Sequence, residues 1–337
     1  MILFVSGATG GHIYPGIAMA HALDEPSYFI VPRDHPAKKI LLPYAYSYQV
    51  IGFSIKNILM FPILFFQILG VFIKKKPKAV MAMGGGICIP FAILAWILRV
   101  PVISFEQNAV PGRATRAIQF FSKKIITAFD SAKKGLILRS RVACLGNPIR
   151  LNYPDVDQLP NEWSDIQGKT LLVVGGSQGA RAINEFIHGN REKIMALGVN
   201  IIHLTGDAFM KEAQIIERKA DQIYMALPYI NDMTIAYQKA SIVLCRSGAT
   251  TLAELHYQKL PSILIPYPYA MDDHQEKNAI EFSLSHHNAT FINESELGMP
   301  IVKEKIVESS VIRDGVDNDS ARKDTNTICE LVKSYLE

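Results

Sequence analysis

The sequence predicts an α/β protein built from two doubly wound domains, and three observations carry that expectation. Short apolar runs without alternation recur between longer amphipathic stretches, a glycine-rich strand-to-helix turn occurs twice, and 337 residues exceed what one hydrophobic core usually holds. Unbroken apolar runs are what strands buried on both faces of a parallel sheet require, whereas a strand with one wet face alternates. Hydrophobic residues make up 49% of the chain and charged residues 20%, which excludes a disordered or collagen-like polymer.

Taken in order, the runs are Ile2 to Val5, Ala79 to Met83, Pro101 to Phe105, Leu171 to Val174, Asn200 to Leu204, Ser241 to Cys245 and Ser262 to Pro266. Gly, Pro or polar residues bound each one, and an amphipathic segment follows, which is how βαβ units read. After the first run comes Ser6-Gly7-Ala8-Thr9-Gly10-Gly11-His12, with a helical pattern from Ile17 onward. Clustered glycines let backbone N–H groups approach an anion, and the helix behind them adds a favourable dipole. A nicotinamide dinucleotide site is the rival, but Gly7, Gly10 and Ile13 leave its third glycine missing and Pro15 is unusual there. The second turn, Gly175-Gly176-Ser177-Gln178-Gly179, also suits a diphosphate; it lacks the Gly-Lys-Ser/Thr ending of a P-loop, and glycines used only for packing are its alternative.

Between the two halves, residues 152–169 are polar, contain Pro154, Pro160 and Gly168, and have weak apolar periodicity. They read as a linker between a domain of residues 1–151 and one of residues 170–337, with a last helix able to pack back on the first. An active site is then expected in the cleft, where the carboxyl ends of both sets of strands face each other. In the second half, Cys245-Arg246-Ser247-Gly248-Ala249-Thr250-Thr251-Leu252-Ala253-Glu254 follows a strand and opens a helix. Glu254 lies one turn in, where it can accept two ribose hydroxyls; helix capping by the threonines and a helix-dipole role for Glu254 are the alternatives. Asp272-Asp273-His274 is only a partial metal set, so no metal is expected.

Residues 1–150 hold 18 Lys and Arg against 5 Asp and Glu, a net +13, and the remainder holds 17 against 26, a net −9. A half this basic is drawn to an anionic surface, and without a nucleic-acid module or interleaved aromatics that surface is expected to be lipid rather than nucleic acid; a solvated basic face with no partner is the alternative. Residues 58–73 form an apolar run broken by Pro62, Gln67 and Gly70, and Lys74, Lys75, Lys76 and Lys78 follow at once. The run is too short to span a bilayer, which takes about 20 residues. It reads as an interfacial segment with Phe61, Leu64, Phe65, Leu69 and Phe72 available to the acyl boundary; a buried core helix is the alternative. Cys88, Cys144, Cys245 and Cys329 show no disulfide or zinc spacing, in keeping with a reducing compartment, and the start of the chain lacks the pattern of a signal peptide.

The motifs then converge. GATGGHIYPG, the glycines at 84–86, EQNAVPG at 106–112, GNPIR at 146–150, GGSQGARAIN at 175–184, CRSGATTLAE and DDHQEKNA stand in one order along nearly the whole chain. In these segments the chain resembles the MurG family of glycosyltransferases. The resemblance implies the GT-B fold, two Rossmann-like domains facing a cleft. It also implies transfer of N-acetylglucosamine, with inversion, from UDP-N-acetylglucosamine to the C4 hydroxyl of the muramyl sugar of lipid I at the cytoplasmic side of the inner membrane, with no cofactor required. Carried over by motif, Thr9, Gly10, Gly11 and Asn108 meet the donor sugar, and Arg150 and Ser177 meet the diphosphate. Ile230 addresses the uracil through its backbone, Ala249, Thr250, Thr251, Leu252, Ala253 and Glu254 form the nucleoside loop, and Gln275 contacts sugar hydroxyls. The chain departs from the family at Gly86 and across Val110 to Ala114, both on the acceptor side. An inverting displacement needs a base for the attacking hydroxyl, for which His12 is the first candidate and Glu106 the second.

Overall fold

The computed structural model describes residues 1–33, 40–52, 61–151, 159–176, 178–206, 209, 215–309 and 317–336. The chain forms two compact units, Met1–Pro154 together with Asn318–Glu337, and Asp155–Asp317.

In the first unit the strands are β1 (Ile2–Val5), β2 (Ser27–Pro32), β3 (Ser47–Ile51), β4 (Ala79–Ala82), β5 (Val102–Glu106), β6 (Lys124–Thr127) and β7 (Val142–Cys144). They pair in parallel in the order β3-β2-β1-β4-β5-β6-β7. Helices α1 (Gly10–Leu23), α2 (Phe61–Lys75), α3 (Cys88–Ile97) and α4 (Arg113–Ile118) connect them. The alternation of β1 explains the two-layered covering. Ile2 and Phe4 join one core with Ile13 and Ile17 of α1, while Leu3 and Val5 join another with Ile68 and Val71 of α2 and Phe91 of α3. Because the chain runs outward through β2 and β3 and then returns to β4, the order reverses between β1 and β4. A crevice opens at such a point at the carboxyl ends of the strands.

The second unit repeats the plan with β8 (Thr170–Val174), β9 (Asn200–Leu204), β10 (Ile216–Lys219), β11 (Gln222–Leu227), β12 (Ile242–Cys245), β13 (Ser262–Leu264) and β14 (Ala289–Phe291). Their order is β10-β11-β9-β8-β12-β13-β14, parallel except for β10 against β11, so the reversal falls between β8 and β12. Its helices are α5 (Arg181–Met195), α6 (Met233–Lys239), α7 (Ala249–Gln258), α8 (His274–Ser285) and α9 (Met299–Glu308). The last helix, α10 (Asn318–Lys333), belongs to the first unit.

Ile328, Cys329 and Val332 of α10 complete the core around α1, so the second unit ends at Asp317. Two expectations change. Residues 159–169 are part of the second unit rather than linker: Ile166 is buried, its carbonyl accepts Lys239 Nζ at 2.9 Å, and Asp165 pairs with Arg218 at 2.5 Å. Residues 152–158 lie outside the described residues. Finally, α2 is two-faced. Leu64 and Phe72 are core residues, only 7% and 5% exposed, and are therefore withdrawn from the surface; Phe65 is 47% exposed, Leu69 is half-buried, and the Phe61 side chain is outside what is described. No helix among the described residues is long and apolar enough to cross a membrane.

Candidate functional site

At the switch point of the first unit, α1 begins at Gly10 with Thr9 as its extended N-cap, which places His12 in the first turn. The Thr9 hydroxyl and His12 Nδ1 are 2.9 Å apart. The imidazole sits in a slot that only glycine leaves open. A Cβ on Gly7 would stand 2.7 Å from His12 Nδ1, and one on Gly84 would stand 2.6 Å from Cδ2 and 2.8 Å from Nε2. Gly84 has φ +109°, so its conformation as well as its size calls for glycine. The buried Cys88 thiol donates toward the Val5 and Gly84 carbonyls at 3.2 and 3.1 Å, joining the ends of β1 and β4; burial pushes its pKa up to about 12, so it stays a neutral donor.

The next strand end holds Glu106, 3% exposed. Its Oε1 accepts Asn108 N at 3.0 Å and Asn108 Nδ2 at 3.2 Å, and its Oε2 accepts Gly112 N at 2.9 Å and Thr115 Oγ1 at 2.5 Å. A carboxylate offers about four acceptor positions, and these donors fill them. Glu106 therefore clamps the loop into α4, and its candidacy as base is corrected to a positioning role. Gln107 Nε2 donates to the Met83 carbonyl at 2.7 Å, tying this loop to β4. Thr9 and Gly11 are exposed and Gly10 half-buried along the same rim. Arg150 is only 8% exposed; its guanidinium lies 3.8 Å over the Tyr14 ring and Nη1 donates to Tyr44 OH at 3.2 Å.

In the second unit β8 ends at the second glycine turn, of which Ser177 lies outside the described residues. Gly179 has φ +80°, and a Cβ there would stand 2.1 Å from the Thr205 carbonyl oxygen, so the turn can lie against the end of β9 only as glycine. Beyond β12, Gly248 caps α7, and Ala249, Thr250, Thr251, Leu252 and Ala253 form its first turn and a half before Glu254. Tyr237 OH, on α6 and 1% exposed, donates to Glu254 Oε2 at 2.8 Å. The Thr250 hydroxyl is buried and has no hydrogen-bond partner within the described protein, an arrangement that a bound polar ligand would relieve. Ser247 Oγ donates to the Gln275 carbonyl at 2.7 Å, Asn278 Nδ2 to the Ser247 carbonyl at 3.2 Å, and Tyr267 N to Gln275 Oε1 at 2.9 Å. The start of α8 is thereby fastened to the nucleoside loop. Ile230 is buried just past the end of β11.

Each unit thus gathers its own expected residues at its own switch point: Thr9 to His12 with Glu106 and Asn108 in one, Ala249 to Glu254 with Gln275 in the other. Sequence reasoning gave no role to Tyr237, Asn278 or a buried triad of His203, Asn184 and Tyr224: Asn184 and Asn278 lie inside GGSQGARAIN and DDHQEKNA without a role of their own, and the other three lie outside the motifs. His203 Nδ1 is 3.1 Å from Tyr224 OH and Nε2 is 3.0 Å from Asn184 Oδ1. Burial, with His188 adding to it, pushes the His203 pKa down to about 4, against an ordinary value near 6.5. Arg191 lies 5.8 Å from the Tyr224 ring and pairs with Glu217. Because the folded pKa lies below the unfolded one, the contribution is fully present above about pH 6.5 and is lost as pH falls through 4. At full loss it amounts to about 3 kcal/mol. Urea unfolding from pH 7 to pH 4 should show this acid-side loss, and His203→Gln should flatten it; an unchanged slope in that variant would assign the loss to other groups.

Comparison with known proteins decides the family. Residues 2–127 match the glycosyltransferase family 28 N-terminal domain and residues 170–327 match the glycosyltransferase family 28 C-terminal domain. The chain belongs to glycosyltransferase family 28. Within this family it is of MurG type. It is 33% identical over 312 residues, 88% of this chain and 85% of the relative, to the UDP-N-acetylglucosamine--N-acetylmuramyl-(pentapeptide) pyrophosphoryl-undecaprenol N-acetylglucosamine transferase of Psychromonas ingrahamii. It is 30% identical over 345 residues, 100% of this chain and 92% of the relative, to the protein of the same name from Prochlorococcus marinus. The crystal structure of Acinetobacter baumannii MurG superposes with a TM-score of 0.70 at 24% identity, covering 99% of both chains. This family 28 member is therefore a glycosyltransferase with the GT-B fold.

Proposed function

We propose that the chain transfers N-acetylglucosamine from UDP-N-acetylglucosamine to the C4 hydroxyl of the muramyl sugar of lipid I, forming lipid II and UDP in peptidoglycan synthesis. The observation that carries this reading is the pairing, in one family 28 chain, of a glycine-slotted His12 at the first switch point with the Glu254 loop at the second. In the tautomer whose Nδ1–H donates to Thr9, His12 Nε2 is the accepting nitrogen and takes the proton of the attacking hydroxyl. The hydroxyl oxygen attacks the anomeric carbon from the face opposite the diphosphate, the C1–O bond to UDP breaks, and the configuration inverts. The N-terminal end of α5 and its glycine turn, with Arg150, stabilise the departing charge, so that no metal is needed. Ile230 addresses the uracil, and Gln275 and Asn108 the sugar.

Glu254 takes the ribose hydroxyls while Tyr237 holds its other oxygen in place. Glu254→Ala should weaken UDP binding by about 1.5–3 kcal/mol, the usual worth of hydrogen bonds to a charged group, or roughly 10- to 150-fold. Calorimetric titration with UDP checks this, and unchanged affinity would take Glu254 out of the site. EDTA should leave activity intact.

A lipid-linked acceptor also calls for a docking face on an anionic leaflet at the cytoplasmic side. The outer face of α2 exposes Ile63, Phe65, Phe66 and Ile73, and α3 exposes Trp96 and Ile97, beside exposed Lys74, Lys75 and Lys76. An apolar face rimmed by lysines is what an interfacial helix presents.

A further inference from the structure

His203 takes no part in the chemistry above: it is 1% exposed and lies inside the second unit. A buried imidazole is costly unless both nitrogens are bonded, and here both are, in one sense only. Asn184 Nδ2 donates to the Thr205 carbonyl at 2.9 Å, which leaves Asn184 Oδ1 as the atom facing His203 Nε2 at 3.0 Å. An amide oxygen can only accept, so Nε2 carries the proton and Nδ1 accepts from Tyr224 OH. The hydrogen bonds therefore run in one direction, from Tyr224 on β11 to His203 on β9, to Asn184 in the first turn of α5, and back to the carbonyl of Thr205 just past β9.

The end point of that relay is the second glycine turn. Thr205 O is the atom against which Gly179 packs, and a Cβ on Gly206 would stand 2.1 Å from Gly179 N. On the other side Thr205 N donates to the Leu227 carbonyl and Gly206 N to the Pro228 carbonyl, both at 2.9 Å, two residues before Ile230. One buried ring thus sets the height of the α5 N-terminus against the segment that follows β11. We propose that His203 is a positioning residue for the leaving diphosphate, holding the first turn of α5 and Gly179 in register with β9 through Asn184. This deepens the donor-site reading and rests on it, because the diphosphate is assigned to that turn.

The test uses the full chain and separates the diphosphate from the nucleoside. His203→Leu leaves Asn184 Oδ1 and Tyr224 OH without their partner, whereas His203→Gln supplies an amide donor and an amide acceptor in place of the two ring nitrogens. UDP and uridine are titrated against wild type and both variants. The expected result is UDP binding weakened about tenfold or more in His203→Leu, uridine binding changed by less than about twofold, and UDP binding within about threefold of wild type in His203→Gln. Equal loss of UDP and uridine, or loss of neither, overturns the proposal alone; a wild type that binds neither ligand ends the donor reading and the proposal with it. Should His203→Leu fail to fold, Asn184→Ser is read by the same difference between UDP and uridine. The imidazole ¹⁵N shifts of wild type supply a ligand-independent signature: a protonated Nε2 and an accepting Nδ1 from pH 8 to pH 5 are expected, and the opposite tautomer contradicts the relay.

Discussion

His12→Ala is expected to lower kcat by about 10²- to 10⁴-fold, the usual loss when a positioned base is removed, with UDP affinity nearly intact. The split between the two quantities matters because His12 belongs to the first unit and the nucleoside loop to the second. Steady-state kinetics with saturating donor, read beside calorimetry with UDP, measures both. The side chain fills a slot between Gly7 and Gly84, so its removal also empties space; a folded variant with intact UDP binding separates that loss from lost proton transfer. A fall in kcat of less than about tenfold would reduce His12 to a packing role. Attention would not pass to Glu106, whose carboxylate is filled by Asn108, Gly112 and Thr115.

Replacing Lys74, Lys75 and Lys76 with glutamate is expected to release the protein from anionic vesicles while sparing UDP binding. At about 1 kcal/mol for each basic residue near the surface, losing three changes partitioning by around two orders of magnitude, before the added repulsion of three carboxylates. Lys75 Nζ also lies 3.9 Å over the Tyr28 ring, so Lys74→Glu with Lys76→Glu alone tests docking without disturbing that contact. Co-sedimentation with vesicles of phosphatidylglycerol, at two salt concentrations, reads the effect; screening at high salt should weaken the wild type toward the variant. Equal sedimentation of folded variant and wild type would remove α2 from the membrane account.

Much of the architecture was legible because the central strands are buried on both faces. All seven apolar runs correspond to strands, β1, β4, β5, β8, β9, β12 and β13, and both glycine turns stand at switch points. The strands that escaped notice are mostly outer ones. β3 and β10, with sequences SYQVI and IERK, have wet residues and no continuous apolar run. Helix α2 was legible as an apolar segment, interfacial or buried, but which of Leu64, Phe65 and Phe72 faced inward depended on α3 and β1, elements that periodicity alone cannot assign. In the sites, the residues to which the motifs give a role were found and their supports, Asn184 and Asn278 within those motifs among them, were not. Tyr237 lies 17 residues before Glu254, and His203 lies 19 and 21 residues from Asn184 and Tyr224. No local spacing rule links residues that meet only when parallel strands and helices pack.

The most direct measurement of the central claim is incubation of the purified chain with labelled UDP-N-acetylglucosamine and a lipid I analogue, followed by separation of the lipid products and determination of the new linkage. The account predicts label in a disaccharide-bearing lipid, joined at the muramyl C4 hydroxyl with inverted anomeric configuration, and release of one UDP per transfer in the presence of EDTA. Label recovered only as free N-acetylglucosamine, transfer to another hydroxyl, or transfer that stops in EDTA and returns with magnesium would contradict it.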